Sequence, residues 1–519
     1  MNGEVLDEAN GSGRLEQVAD QAKEILDGLR ASGVMATSLA THSRALKPGD
    51  VFLAYPGERD DGRRHIAQAL ERGAAAVLWE RAAFEWRPAW QVPNIPVEGL
   101  REQAGYIAHE LYGRPSEHLW TMGVTGTNGK TSCSHWIAQG CAAAGARTAV
   151  IGTLGLGFPS PPGEPPARLR PLANTTPDAV QLHRSMADLA REGAQGVVTE
   201  VSSIGLDQGR VNGIAFGAAL FTNLSRDHLD YHGDMERYAR AKQRLFQTPG
   251  LRHAVLNLDD VQGVQLARML AQSGINRIGY SCFEGVALRA GLDGYIEAQN
   301  LRVSASGIAF DLRSSWGADR VESPLLGRFN AGNLVGVLGM MLASGVPFEA
   351  AMAAVRLFHP ITGRMQRLGG SGRPLVVVDY AHSPDALEKT LGALREAAQE
   401  SGGRLLAVFG CGGDRDRGKR RIMGAVASRY ADAILITSDN PRSEDPETII
   451  DEIVEGVTIP HERVTERREA IAKAIASSSA NDVILLAGKG HETYQEIAGR
   501  QLPFSDPEEA QKALERCWP

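Results

Sequence analysis

An apolar run, Trp-Thr-Met-Gly-Val-Thr at 120–125, passes directly into Gly126-Thr-Asn-Gly-Lys-Thr131 and on into a helix-like segment at 130–144. Strand, glycine turn and helix in that order form a cradle in which backbone N–H groups of the turn and helix N-terminus face an anion. Such a turn ending in Lys-Thr holds nucleotide phosphates, with Lys130 reaching the β/γ oxygens and the Thr131 hydroxyl offered to Mg2+. Against the longer G-x-x-x-x-G-K-[ST] pattern, Val124 stands where the first glycine belongs, so the match is to a shorter loop, GTNGKT. The strand before it and the helix after it argue against an incidental turn.

With 519 residues, 43% of them hydrophobic and 23% charged, the chain is expected to form two to four soluble domains. A net charge of -7 and the lack of any long basic run argue against nucleic acid as a partner. No stretch approaches the ~20 apolar residues of a membrane span, and Glu4, Asp7 and Glu8 do not suit a secretory leader. A cytoplasmic protein without membrane insertion is expected. Five scattered cysteines without C-x-x-C spacing suggest neither a disulfide framework nor zinc.

Residues 1–110 read as a small α/β domain, with strands at 51–55 and 75–78 between turn clusters. Residues 111–359 alternate strand, loop and helix, with strands at 122–125, 148–151, 196–201, 218–222 and 254–256; apolar runs of this kind predict a mainly parallel sheet covered on both faces. The Pro- and Gly-rich stretch 159–171 is a loop. Residues 360–519 carry strands at 375–379, 405–410, 433–437 and 483–487 alternating with helical segments, the signature of a doubly wound, Rossmann-like sheet.

Polar clusters follow these strands. Glu200 ends one of them, where a carboxylate can hold a hard cation beside a phosphate loop, although it could equally cap the next turn. Asp227, His228, Asp230 and His232 crowd the loop after another, while His232 could also be a simple surface residue. Lys242, at helical spacing in 235–242, reads as an ordinary exposed lysine. Four further loops, 379–384, 410–415, 439–442 and 488–492, combine carboxylate, amide and guanidinium groups. That mixture suits a zwitterionic ligand, with Asp and Glu for its ammonium and Arg for its carboxylate.

Taken together, these motifs resemble the Mur ligases, ATP-dependent amide-forming enzymes of peptidoglycan precursor synthesis. GTNGKT at 126–131, NTTP at 174–177, EVSS at 200–203, TNLSRDHLDYHG at 222–233, AK at 241–242, GRFNAGN at 327–333, GRM at 363–365 and DYAHSPDAL at 379–387 stand in the family's order. GCGGDRDRGKR at 410–420, DNPR at 439–442 and GKGHE at 488–492 look like the branch that adds the third peptide residue, in its meso-diaminopimelate form. Lysine-adding relatives differ at DNPR, so Asn440 and Arg442 discriminate.

The resemblance implies three domains: 1–110 for the UDP end of the substrate, 111–359 as the P-loop ATPase, and 360–519 for the incoming amino acid. It implies that Gly126, Thr127, Asn128, Gly129, Lys130, Thr131, Asn330, Arg364, Asp379 and His382 meet ATP. Ser43, Glu58, Arg59 and Asp60 would face uridine diphosphate, and Thr175, Thr176, Ser202, Gln208 and Arg210 the muramoyl-peptide. Arg415, Asp439, Asn440, Pro441, Arg442, Gly488 and Glu492 would bind diaminopimelate. Thr131, Glu200, His228 and Lys242 would hold Mg2+, and Lys130, His228 and Lys242 would act in catalysis. For Lys242 the resemblance reverses the reading from spacing, because the family carries there a lysine carbamylated by CO2. Two positions depart from the pattern: Ile204 replaces the histidine of EVSSH, and the turn Gly57-Glu-Arg-Asp60 is charged where a neutral version is commoner. The expected enzyme is a monomer working on ATP, UDP-muramoyl-dipeptide and meso-diaminopimelate. The rival readings are a lysine-adding relative, a folylpolyglutamate synthetase-like ligase, and a P-loop ATPase that hydrolyses ATP for conformational work.

Overall fold

The computed structural model describes residues 9–518 apart from Arg59, Gly163, Pro165 and Ala305. Among the described residues its strands assemble into three large sheets that follow one another along the chain, and a two-stranded antiparallel ribbon of Tyr494–Ile497 with Arg500–Pro503. The first is four-stranded and parallel, in the order β1 (Leu39–Ala40), β2 (Val51–Ala54), β3 (Ala76–Glu80), β4 (Asn94–Val97). Val51, Leu53, Ala76 and Leu78 bury one of its faces against helices that include Leu100–Leu111.

The second sheet has ten strands: β5 (Trp120–Thr125), β6 (Thr148–Gly152), β7 (Gly155–Gly157), β8 (Gly196–Glu200), β9 (Ala218–Phe221), β10 (His253–Asn257), β11 (Asn276–Ser281), β12 (Gly294–Ser304), β13 (Gly307–Ser314) and β14 (Gly317–Ser323). Their order is β14-β13-β12-β11-β10-β9-β5-β8-β6-β7, parallel from β12 to β6 and antiparallel at both edges. β5 lies between β8 and β9, so the chain leaves it toward one side of the sheet and later returns on the other. The crevice that opens at such a reversal, beyond the strand's carboxyl end, is where α/β sheets take ligands. Helices Lys130–Ala143 and Arg328–Ala343 pack over one face, and Trp136, Leu334, Val337, Leu338 and Met341 are almost wholly enclosed. The antiparallel extension β12–β14 goes beyond the five strands expected in this stretch. Its half-buried alternation is a weaker signal than the apolar runs of the parallel strands.

The third sheet runs β15 (Gln366–Gly369), β16 (Leu375–Asp379), β20 (Val483–Ala487), β17 (Leu405–Phe409), β18 (Ala433–Ile436), β19 (His461–Arg463), parallel but for β15. The motifs 379–384, 488–492, 410–415 and 439–442 therefore leave four adjacent strands at one edge. Helix Pro384–Ser401, capped by the Ser383 side chain, lies against this sheet through Leu387, Leu391 and Leu394. Among the described residues, no helix is long and apolar enough to cross a membrane.

Candidate active site

Gly126 and Gly129 turn the chain between β5 and its helix with φ of 147° and 86°, values open to glycine but strained for other residues. Space requires glycine as well: a Cβ on Gly126 would fall 1.9 Å from Thr222 Oγ1. The loop is laced to the segment after β9. Thr127 N donates to Asn223 O at 2.8 Å, Asn128 N to Asn223 Oδ1 at 3.0 Å, and Thr222 Oγ1 to Asn128 O at 2.6 Å. Lys130 Nζ folds back onto Gly126 O and Thr127 O, both at 2.9 Å. Burial depresses its pKa, with Glu200 and Asp227 opposing and Arg364 adding to the fall.

Glu200, at the end of β8, is fully buried and faces the loop. Its Oε2 accepts from Thr131 Oγ1 at 2.9 Å and from Thr153 Oγ1 at 3.0 Å, and its Oε1 from Thr153 N at 2.8 Å. A hydroxyl and a carboxylate side by side at a phosphate cradle form a hard-oxygen donor set of the kind Mg2+ prefers. Among the described residues, no three His, Cys, Asp or Glu side chains gather as a ready metal cage. Mg2+ commonly completes its shell with phosphate oxygens and water, so the set fits a cation that arrives with a nucleotide.

Lys242 overturns the reading made from spacing. It sits on helix Met235–Gln243, but its side chain is 1% exposed, because the helix turns that face inward with Tyr238 and Ala241. Its Nζ donates to Gly126 O at 2.8 Å and lies 4.5 Å from the centre of the Tyr238 ring. Among the described residues it has no acidic group at ion-pair distance. Burial, and then the neighbouring Lys130 charge, drive its pKa far down, with Asp227 opposing. His228, at φ 53°, stands 3.6 Å from Asp227 in the same cavity. Burial lowers its pKa, Asp227 acts against that, and Lys130, His382 and Lys242 add to it. His232 is buried rather than superficial, its Nε2 2.9 Å from Ser203 Oγ.

The third unit closes the far wall of this cavity, which holds about 400 Å3. Arg364 places a guanidinium NH2 3.2 Å from Thr131 Oγ1 and lies 4.4 Å over the Tyr380 ring. Asp379 accepts from Met365 N at 2.8 Å, and burial raises its pKa despite Arg364. His382 is held through Nδ1 to Tyr380 O at 2.8 Å, and burial lowers its pKa, with Asp227 opposing. Asn330 Nδ2 donates to Leu326 O at 2.9 Å, and its Oδ1 accepts from Asn333 at 3.1 Å.

Two more clefts adjoin. One of about 600 Å3 gathers Ser43, Glu58, Asp60, Gln208 and Arg210 with Asp178 and Arg101. Glu58 is paired to Arg101 at 2.8 Å, and Arg210 to Thr176 O at 2.7 Å. Arg59, expected here, lies outside the described residues. The other cleft, of about 560 Å3, runs from Thr153 and Thr175 past Tyr380 to Glu492 and Tyr494, walled by the proline-rich segment. Ser202 lines the phosphate-loop cavity, whereas Thr176 is fully enclosed and bonds to Glu200 O at 2.9 Å and Ser202 Oγ at 3.0 Å. Ile204 is half-buried on the short helix Ser203–Asp207, beside these groups.

In the 439–442 and 488–492 loops, Asn440 Nδ2 donates to Glu492 Oε2 at 2.8 Å. Lys489 Nζ donates to both, at 3.0 Å to Asn440 Oδ1 and 2.8 Å to Glu492 Oε2. Arg442, at φ 53°, donates to Gly413 O at 2.6 Å and lies 3.4 Å from Glu496. A Cβ on Gly488 would meet Asp439 Oδ2 at 2.3 Å, so only glycine lets that carboxylate approach the strand end. Arg415 is exposed and donates to its neighbour Asp414 O at 3.3 Å. Reading the sequence singled out neither Thr153 nor the buried Lys489. A threonine in a strand-end turn has no distinguishing pattern, and Lys489 reads as part of a tight Gly-Lys-Gly loop.

Comparison with known proteins agrees with this geometry. Family models match three stretches: Mur ligase family, catalytic domain, at 36–112; Mur ligase middle domain at 124–341; and Mur ligase, glutamate ligase domain, at 363–490. A Janthinobacterium sp. (strain Marseille) protein named UDP-N-acetylmuramoyl-L-alanyl-D-glutamate--2,6-diaminopimelate ligase is 48% identical over 499 residues, 94% of this chain and 96% of its own length. A Pseudomonas aeruginosa protein of the same name is 48% identical over 484 residues, covering 93% and 95%. A solved structure of a ligase of that name superposes with a TM-score of 0.64 at 37% identity, covering 93% of this chain and 95% of that one. With its phosphate loop, its three sheets in sequence and near-full-length relatives at this identity, the chain belongs to the Mur ligase family.

Proposed function

We propose that this protein is the ATP-dependent ligase that joins meso-diaminopimelate to UDP-N-acetylmuramoyl-L-alanyl-D-glutamate. The observation that carries the reading is the cavity in which Lys130, Thr131 and Glu200 of the central unit meet Arg364, Asp379 and His382 of the C-terminal unit. The cleft from Thr175 to Glu492 opens beside it. ATP would lie against residues 126–131, the uridine end in the cleft with Ser43, Asp60 and Arg210, and the amino acid against Asp439, Asn440, Arg442, Gly488 and Glu492.

Hydroxide is a poor leaving group, so the substrate's D-Glu side-chain carboxylate must first be activated. It attacks the γ-phosphorus of ATP, forming an acyl phosphate and releasing ADP. The amine of diaminopimelate then adds to the acyl carbon, loses its proton, and the tetrahedral intermediate expels phosphate to leave the amide. Lys130 and Arg364 place positive charge where the transferring phosphoryl group gathers negative charge. Thr131, Glu200, His228 and Lys242 would hold Mg2+, which when bound neutralises phosphate charge and polarises the transferred group. Burial lowers the Lys242 pKa and so favours the unprotonated amine, the form that adds CO2 with loss of a proton, and its carbamate would supply a further carboxylate to the cavity. Asn440 and Arg442 hold the amino acid so that its free amine reaches the acyl carbon.

The test is phosphate release from ATP and Mg2+ in the presence of the UDP-muramoyl-dipeptide, compared on adding meso-diaminopimelate, lysine or glutamate. Release that depends on meso-diaminopimelate is expected. Release indifferent to the amino acid sinks the ligase reading, and preference for lysine or glutamate moves the chain to another branch.

A further inference from the structure

Asp385 stands in the first turn of helix Pro384–Ser401, in the C-terminal unit, and no step of the chemistry uses it. Its Oδ2 nevertheless accepts from two groups of the central unit: Asn128 Nδ2 in the phosphate loop at 2.9 Å, and Ser225 Oγ in the segment after β9 at 2.8 Å. These two segments are already bound to each other. Ser225 N donates to Thr127 Oγ1 at 3.0 Å, and Thr127 Oγ1 to Ser225 O at 3.1 Å. The main chain of Asn128 is held from within the central unit by Thr222 and Asn223. Its carboxamide is held from outside, by Asp385.

We propose that Asp385 is a positioning residue for the nucleotide, tying the phosphate loop and the 222–228 segment to the C-terminal unit. The assignment rests on reading this cavity as the ATP site. A carboxylate in the first turn of a helix also favours its own helix dipole, and Lys389 Nζ lies 3.0 Å from the same oxygen. Neither of those roles involves Asn128. Hydrogen bonds to a charged acceptor are stronger than neutral ones, so losing this pair leaves the loop free to sample conformations that do not fit phosphates. The consequence falls on nucleotide affinity.

The experiment is a calorimetric titration of the full-length protein with Mg2+-ADP, which needs no turnover and so stands apart from failure of the ligase reading. D385A is expected to weaken binding about tenfold, the scale of one charged hydrogen bond. D385N, which keeps an acceptor oxygen, is expected to stay within about threefold of the parent. N128A should weaken binding about as much as D385A, and the N128A/D385A double variant no more than either alone. Thermal midpoints measured alongside report the helix-dipole role separately. Parent-like ADP binding by D385A, or losses that multiply in the double variant, would overturn the proposal. Should D385A not fold, S225A and D385N carry the same test: parent-like binding in S225A together with a tenfold loss in D385N overturns it, while a loss in S225A with near-parent binding in D385N supports it.

Discussion

Lys130 and Lys242 direct their side-chain nitrogens to one backbone oxygen, the carbonyl of Gly126, at 2.9 and 2.8 Å. Burial, and after it the Lys130 charge on the same carbonyl, push the Lys242 pKa well below that of an ordinary lysine, with Asp227 opposing. A lowered pKa favours the unprotonated amine, the form that reacts with CO2.

Replacing Lys242 by Ala should therefore reduce turnover about a hundredfold or more while ATP still binds. Small carboxylates such as formate or acetate should recover part of the rate by standing in for the proposed carbamate. Wild-type enzyme prepared free of CO2 should be slow and recover on adding bicarbonate. Full activity of K242A, or indifference to CO2, removes Lys242 from the mechanism.

Thr131 and Glu200 share one short contact at the cradle. Substituting Thr131 by Val keeps the volume but deletes the oxygen, and the Mg2+ concentration for half-maximal rate should rise about tenfold. A Mg2+ titration of initial rates reads this directly; an unchanged midpoint would place the hydroxyl outside the cation's shell.

Arg442 is held by Gly413 O and lies against Glu496, at a left-handed backbone position. R442A should raise KM for meso-diaminopimelate about ten- to a hundredfold through loss of a charge-assisted contact, with KM for ATP within about twofold. Equal effects on both substrates would indicate a general disturbance of the C-terminal unit.

His183, on helix Ala179–Arg191, is wholly enclosed, donates from Nε2 to Asn212 O at 2.8 Å and stacks edge-on with His109. Burial pushes its pKa from 6.5 to about 3, the Asn212 contact opposing and His109 adding. Burial also lowers the pKa of the partner ring, with Glu117 and Glu110 opposing and Arg114 adding to the fall. The unfolded chain binds this proton below 6.5 and the folded one only near 3, so stability falls as pH drops through that window and is unaffected above it. Urea unfolding between pH 7 and 4 should show a shallower acid loss in H183Q than in the parent.

Arg467 and Asp506 form a bidentate pair in which both side chains are fully buried, with N–O distances of 2.7 Å, and Arg467 also donates to Ala487 O at the end of β20. D506A leaves an uncompensated guanidinium in the core and should cost about 3–5 kcal/mol, seen as a lowered thermal midpoint. Recovery in a double variant carrying Met at 467 and Leu at 506 would separate the stranded charge from lost packing.

Much of this architecture was legible in the residues. β5 and the helix behind GTNGKT fall where apolar run and glycine turn put them, as do β16, β17, β18 and β20, because strands buried on both faces leave unbroken apolar runs. The antiparallel strands 294–323 were not, since half-exposed alternation is diluted by charged residues such as Arg313, Asp319 and Arg320. Resemblance to a family located the candidate site residues, and composition alone would not have done so for Lys242.

The sequence by itself determined the phosphate cradle, because glycine at 126 and 129 and Lys-Thr after them are demands of backbone geometry and anion charge that are local to six residues. Only the tertiary structure decided which lysine is wholly enclosed, which threonine faces Glu200, and that Asp385 reaches Asn128 across 257 positions of chain. Burial and long-range proximity arise from how three sheets pack, and no local window of sequence contains them.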